Sequence, residues 1–296
     1  MAAITRDHGQ ADLLCEYGRK EPSLQVPSSS LAQSGEILFA TDFCELSRRA
    51  LLYVKKLALQ SGAAVRSVHV IDLTRTAKAD RSFSSVQDSA ERMLREMRRE
   101  LRVGGLRESA TLIAAGKPAE AIRKMAAQYG SGMIVIGVNS RGRPQPGPLG
   151  NTARILLETA PCPVLTVGAR CRDAPPAGPF RRSIFVGDKE PASLRAGREA
   201  WALSGDFGTA PKYAVLTAEE RELADGLRRA FQPIRIVEYG AAAEEILAEA
   251  AKVEVLVVAR QAHGSLDSFA RQGAAHALAT GAPCPVLWVR HDGAQA

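Results

Sequence analysis

Between residues 36 and 168, short apolar or β-branched runs alternate with longer stretches whose apolar positions recur every three or four residues. The runs EILFAT, AVRSVHVI, ATLIAA, MIVIGV and CPVLTV predict strands. The stretches between them predict helices: LSRRALLYVKKLALQ, an Arg/Glu segment at 89–109, PAEAIRKMAAQY and NTARILLET. Five strands alternating with four helices describe a parallel, doubly wound sheet, because parallel neighbours need a crossover and a helix supplies it.

The pattern then recurs with different residues. Asp42, Ser47 and Ala50 align with Asp188, Ser193 and Ala196, and Gly116-Lys-Pro-Ala-Glu-Ala-Ile122 aligns with Gly240-Ala-Ala-Ala-Glu-Glu-Ile246. Ala160-Pro-Cys-Pro-Val-Leu165 returns as Ala282-Pro-Cys-Pro-Val-Leu287. Three matches in the same order predict two tandem α/β domains, at 35–168 and 182–290. The Pro-, Gly- and Arg-rich residues 169–181 read as a linker, and residues 1–34, which match neither copy, as a flexible tail.

Composition narrows the class. The chain has 296 residues, enough for two domains, and 46% hydrophobic with 24% charged residues marks a globular protein. No N-terminal apolar core of a leader and no run of about 18 apolar residues is visible, so a cytoplasmic protein with no membrane contact is expected. The five cysteines are spread out and form no C-x-x-C pair, which fits a reducing compartment and opposes a zinc site.

The net charge of +7 raises nucleic acid as a partner. Much of the excess lies in one predicted helix, where Arg92, Arg95, Arg98, Arg99 and Arg102 alternate with Glu91, Glu96 and Glu100. That spacing pairs opposite signs along a solvated face, and no aromatic residues interleave as stacking platforms. Nucleic acid is therefore not expected.

Candidate chemistry concentrates in GVNSRGRPQPGPLGNT, residues 137–152, between a predicted strand and a predicted helix. If the first and fourth strands are neighbours, the loops after them face each other where strand order reverses, and Asp42 comes beside this segment. Glycines permit close backbone approach, and a helix starting near Asn151 would offer free N–H groups to a phosphate. Arg141 and Arg143 would add charge-assisted hydrogen bonds, and Asp42 an acceptor for an adenine amino group or a ribose hydroxyl. The competing reading is that Asn151 or Thr152 caps its own helix.

These residues resemble the universal stress protein family, whose ATP-binding branch carries G-x2-G-x9-G-[S/T] before a helix and a C-P-V strand. Here Gly137, Ser140, Gly150 and Asn151 keep that spacing. The resemblance implies a Rossmann-like fold of the adenine nucleotide alpha hydrolase kind, with two five-stranded parallel sheets, each ordered 3-2-1-4-5. It further implies an ATP or AMP site in the first domain, formed by Ala40, Thr41, Asp42, Val70, Gly137, Ser140, Arg141, Gly150, Asn151 and Thr152. Two positions depart from the pattern: Ser140 replaces a glycine, and Asn151 replaces a hydroxyl residue. The second copy departs further, with Ala259 and Ala262 at glycine positions and Gly273 out of register, so no nucleotide is expected there.

Walker A, G-x-S-x-G, H-E-x-x-H and dinucleotide G-x-G-x-x-G patterns are missing, so no catalytic residue and no metal ligand is assigned. His263 and His276 read as solvated or capping, Cys162 and Cys284 as buried packing residues, and Cys44 as a thiol at the mouth of the site with a conceivable redox role. Two readings stay open: a nucleotide-responsive stress protein acting on an unidentified protein partner, and a ligand-free scaffold. A slow ATPase is a lesser third. The twin CPVLTV and CPVLWV strands would pair within the chain as a pseudo-dimer, with a homodimer as an additional option.

Overall fold

The computed structural model describes residues 30–73, 82–138, 149–175, 182–187, 210–217, 234–238, 242–261 and 274–291. The first half runs α1 (Ser30–Ser34), β1 (Glu36–Ala40), α2 (Glu45–Ser61), β2 (Ala64–Ile71), α3 (Phe83–Val103), β3 (Glu108–Ala115), α4 (Pro118–Gln128), β4 (Met133–Gly137), α5 (Asn151–Thr159) and β5 (Val164–Val167). The second half runs β6 (Arg182–Gly187), β7 (Ala210–Thr217), β8 (Ile234–Glu238), α6 (Ala242–Ala250), β9 (Val255–Gln261), α7 (Ala274–Gly281) and β10 (Val286–His291).

The ten strands of the described residues belong to one sheet, ordered β3-β2-β1-β4-β5-β10-β9-β6-β7-β8. Counted from its own first strand, each half has the order 3-2-1-4-5. Neighbours within a half are parallel. The two separate five-stranded sheets expected from the sequence are instead continuous: β5 and β10 pair antiparallel, with Thr166 opposite Val286, Leu165 opposite Leu287 and Val164 opposite Trp288. A terminal strand left at an edge presents unpaired N–H and C=O groups. Here the last strand of each half satisfies the other.

The strands lack polar alternation because helices cover both faces of the sheet. Ile37, Leu38 and Phe39 of β1 and Met133, Ile134 and Val135 of β4 are all fully buried. α2 and α3 cross in one direction along the sheet and α4 and α5 in the other, so right-handed connections put the two pairs on opposite faces. α2 packs Leu46, Ala50, Val54 and Leu57 inward against β1 and β4. α3 begins at Phe83, before its Arg/Glu segment, with Ser82 as N-cap accepting from Ser85 N at 3.3 Å. Its inner positions Ala90, Leu94, Met97 and Leu101 follow the helical period. Of its outer charges, Arg95 pairs with Glu91 one turn back at 3.4 Å, as the spacing predicts, whereas Arg98 pairs off the helix with Glu108 of β3 at 3.0 Å.

The described residues begin before residue 35. α1 buries Leu31 completely, and Gly35 N donates to Leu31 O at 2.8 Å. The rest of the expected tail, residues 1–29, lies outside the described residues. The first part of the expected linker is docked. Arg49 of α2 donates to Ala169 O at 3.0 Å and Cys171 O at 2.8 Å, and pairs with Asp173 at 2.7 Å. Arg172 in turn reaches the second half, donating to Val253 O at 3.0 Å and Ala251 O at 2.9 Å. Gly168 lies so close to α7 that a Cβ there would sit 2.4 Å from Ala279 O.

The amino edge of the first half is closed by charge. Glu36 accepts from Arg66 at 2.8 and 2.9 Å and from Ser131 Oγ at 3.2 Å. The Arg66 guanidinium lies 3.8 Å over the Tyr129 ring. No helix among the described residues is long and apolar enough to cross a membrane.

Candidate functional site

β1 lies between β2 and β4, so strand order reverses at the β1/β4 pair. In open α/β sheets, ligands bind beyond the carboxyl ends of the strands at this point. These ends carry Ala40, Thr41 and Asp42 on one side and Gly137 and Val138 on the other.

Ala40 and Thr41 are buried and serve the backbone turn. Thr41 N donates to Val68 O at 2.9 Å, and Thr41 Oγ1 accepts from Phe43 N at 3.0 Å. Phe43 is held at φ +62°, a left-handed conformation that is costly for a bulky L-residue. Its ring stacks on His69, centroids 4.5 Å apart, and His69 Nδ1 lies 2.8 Å from Thr41 O. Val70 is half-buried two residues beyond Val68, the partner of Ala40, and so lies at the same carboxyl edge.

Asp42 is exposed, with one oxygen engaged. Its Oδ1 accepts from Ser47 Oγ at 2.5 Å and Cys44 N at 3.1 Å. Although the residue as a whole is exposed, its carboxyl is partly shielded against the first turn of α2, which pushes the pKa up, but the hydrogen bonds from Cys44 and Ser47 outweigh that and hold it below the usual carboxylate value. Oδ2 makes no such bond among the described residues.

Cys44 is the N-cap of α2 and accepts from Ser47 N at 3.4 Å through Sγ. Burial, and then the neighbouring Asp42 carboxylate, push its thiol pKa up, which disfavours the reactive thiolate. The thiol at the mouth of the site is thus a capping group. Burial also raises Cys162 and Cys284 to about 12 and Cys171 to about 11.

Gly137 is accounted for by packing. A Cβ on it would meet Leu46 C at 2.6 Å and Ser47 N at 2.7 Å, so the first turn of α2 leaves no room for a side chain there. On the far side of the loop, α5 starts at Asn151 as its period predicts, with Gly150 as an N-cap that offers no side-chain bond. Neither Asn151 nor Thr152 caps the helix: Asn151 Oδ1 instead accepts from Arg154 Nη2 at 3.1 Å, one turn on. Among the described residues the first N–H groups of α5 therefore have no side-chain cap, which is the arrangement that receives anions. Ser140 and Arg141, with Arg143 and the rest of 139–148, lie outside the described residues, as do Asp188, Ala262, His263 and Gly273.

One residue at this site escapes the sequence reading. His276 of α7, read from the sequence as solvated or capping, is half-buried, and its Nδ1 accepts from Leu149 N at 2.7 Å across the two halves. The sole sequence signal was the pairing of the twin C-P-V strands, which draws the segments around them together. Beside the crevice, an open groove of about 560 Å³ between α2 and α3 is edged by Thr41 and Phe43. Its Arg49 is already matched by Glu45 and Asp173.

Residues 34–168 match the family model described as Universal stress protein family. A search of curated proteins finds no match to the sequence. Among solved structures, the chain is similar to a universal stress protein from Archaeoglobus fulgidus DSM 4304, with a TM-score of 0.71 at 20% identity over 88% of this chain and 100% of that one. It is also similar to a functionally unknown protein from Pseudomonas aeruginosa PAO1, with a TM-score of 0.62 at 18% identity over 90% of this chain and 95% of that one. These two likenesses are of fold, and they extend through both halves. Residues 34–168 of this chain are a universal stress protein domain.

Proposed function

We propose that the first half binds an adenine nucleotide, ATP or AMP, at the β1/β4 crevice, and that occupancy changes which protein partner the chain engages. The observation that carries this reading is the N-terminus of α5, capped by no side chain among the described residues, at the same sheet edge as the half-free Asp42 carboxylate. The α5 N–H groups would take the phosphates, Asp42 Oδ2 would accept from ribose or adenine, and Val70 would lie beside the base. Ser140 and Arg141 would complete the phosphate contacts. The role is binding and regulation, without robust catalysis and without a metal, in the cytoplasm.

The second half reads as a degenerate copy of the first. Its strand order is the same, and β10 occupies the place of β5 across the antiparallel seam, which supports reading the chain as an internal pseudo-dimer. Domain limits of 35–168 and 182–290 with a linker at 169–181 follow from that repeat, and no nucleotide is assigned to the second copy.

The ligand-free scaffold has its own support. Gly137 and one oxygen of Asp42 are satisfied within the protein. Mass spectrometry of small molecules released on denaturing protein purified without nucleotide separates the two readings, with Gly150→Glu as the comparison because it sets a carboxylate at the start of α5. ATP or AMP from the parent and none from the variant is expected. Nothing from either, with a flat ATP titration, would leave the scaffold.

A further inference from the structure

His276 stands in the half that keeps fewest of the motif residues, yet it touches the half that keeps most. Its Nδ1 is 2.7 Å from the nitrogen of Leu149, the residue before the N-cap of α5. A backbone N–H donates, so Nδ1 accepts, and the ring is neutral with its proton on Nε2. An imidazolium carries N–H on both nitrogens and cannot accept this bond.

Both ends of the contact are anchored. Leu149 packs against the core, and α7 is seated on β5 through the close approach at Gly168. Thr280 Oγ1 donates to His276 O at 2.8 Å, fixing the turn that bears the ring.

We propose that His276 is a proton-sensitive clamp by which the second half positions residues 149–151, the exit of the phosphate loop, and lets them go when the imidazole takes up a proton. Its effect on nucleotide rests on the binding reading above; the clamp itself does not. Burial holds the ring below the ordinary imidazole value of about 6.5, so the accepting form is the one present at neutral pH. α7 carries no charged residue, and neither do β5 and residues 149–151. α6, packed on α7, carries Glu244, Glu245 and Glu249, the last paired with Lys252 at 2.8 Å. Arg154 of α5 is paired with Glu158 at 2.9 Å. With the folded value depressed, the clamp is whole above about pH 6.5 and is lost as pH falls through the lower folded value.

The test is hydrogen exchange at the Leu149 amide in the full chain from pH 7.5 to 5.0, expressed as protection against the intrinsic rate at each pH. In the parent, protection falls by roughly fivefold to tenfold as pH drops. In His276→Asn, whose Oδ1 takes the place of Nδ1 and does not titrate, it stays level. In His276→Ala, which suits the helix but has no acceptor, it is low throughout. Protection in the parent that ignores pH, or that falls equally in His276→Asn, overturns the clamp. ATP titrations of the same proteins then address the nucleotide, with His276→Asn cancelling the titration of the terminal phosphate itself. An affinity that weakens at low pH in the parent beyond His276→Asn ties clamp to site. ATP bound by none of them at any pH sinks the binding reading, and the exchange result still decides the clamp.

Discussion

The carbonyl carbon of Leu46 stands 2.6 Å from where a Cβ on Gly137 would be, so the backbone of α2 and the end of β4 meet without a side chain between them. Overpacking a well-filled contact typically costs about 1–3 kcal/mol. Both partners here are backbone, which cannot swing aside, so Gly137→Ala is expected in the upper part of that range. Urea denaturation without nucleotide measures it. A variant as stable as the parent would mean that α2 is free to shift, and would return Gly137 to the ligand.

Trp288 Nε1 donates to Thr166 Oγ1 at 2.9 Å inside the seam between β5 and β10, where both residues are buried. Thr166 Oγ1 in turn lies 3.2 Å from Val286 O as donor. Thr166→Val keeps the shape and removes the acceptor, leaving a buried indole N–H unsatisfied. Such a loss costs about 1–3 kcal/mol. A lower denaturation midpoint with an unchanged slope is the expected result, and an unchanged midpoint would show that the indole finds another acceptor.

Local period was enough to place most elements of the first half. AVRSVHVI and NTARILLET have the observed bounds of β2 and α5, because burial on both faces or on one stripe leaves its mark residue by residue. The twin C-P-V strands likewise pointed to the seam. What stayed hidden depends on residues far apart in the chain. Gly137 is visible as a glycine after a strand, but nothing in its neighbourhood says whether a ligand or α2 comes close. Arg172 sits in what reads as linker, and its carbonyl partners lie about eighty residues on, at Ala251 and Val253. His276 has no pattern of its own, since its partner is a backbone N–H in the other half.

Arg172 ties the end of the first half to the second through both guanidinium nitrogens that donate to Ala251 O and Val253 O. Hydrogen bonds from charged donors are each worth about 1.5–3 kcal/mol where water is excluded, and less at the exposed Nη2 bond. Arg172→Leu keeps the apolar stem and removes the donors. Hydrogen exchange of residues 250–258 is expected to quicken by roughly tenfold while that of β1 and β4 is unchanged. Equal quickening in both halves would make Arg172 part of one cooperative unit and not a local tie.

Asp42 joins stability and the candidate site through different oxygens. Its Oδ1 receives Ser47 Oγ and Cys44 N, and these bonds hold its pKa below the ordinary value of about 3.9. A carboxyl with a lowered folded pKa adds stability that is fully present above the unfolded value and is lost as pH falls through the folded one. The parent should therefore lose melting temperature below about pH 4 beyond what Asp42→Asn loses, because an amide oxygen keeps accepting without titrating. Thermal scans from pH 6 to pH 2 on both proteins give the difference curve, which cancels the other carboxyls. At pH 7 the same substitution turns Oδ2, the proposed acceptor for ribose or adenine, into a donor. Asp42→Asn should fold nearly as well as the parent there and bind ATP at least tenfold more weakly, the size of about one hydrogen bond. A difference curve flat to pH 2 would mean that the carboxylate charge adds nothing to the first turn of α2, and equal ATP affinity would remove Asp42 from the nucleotide.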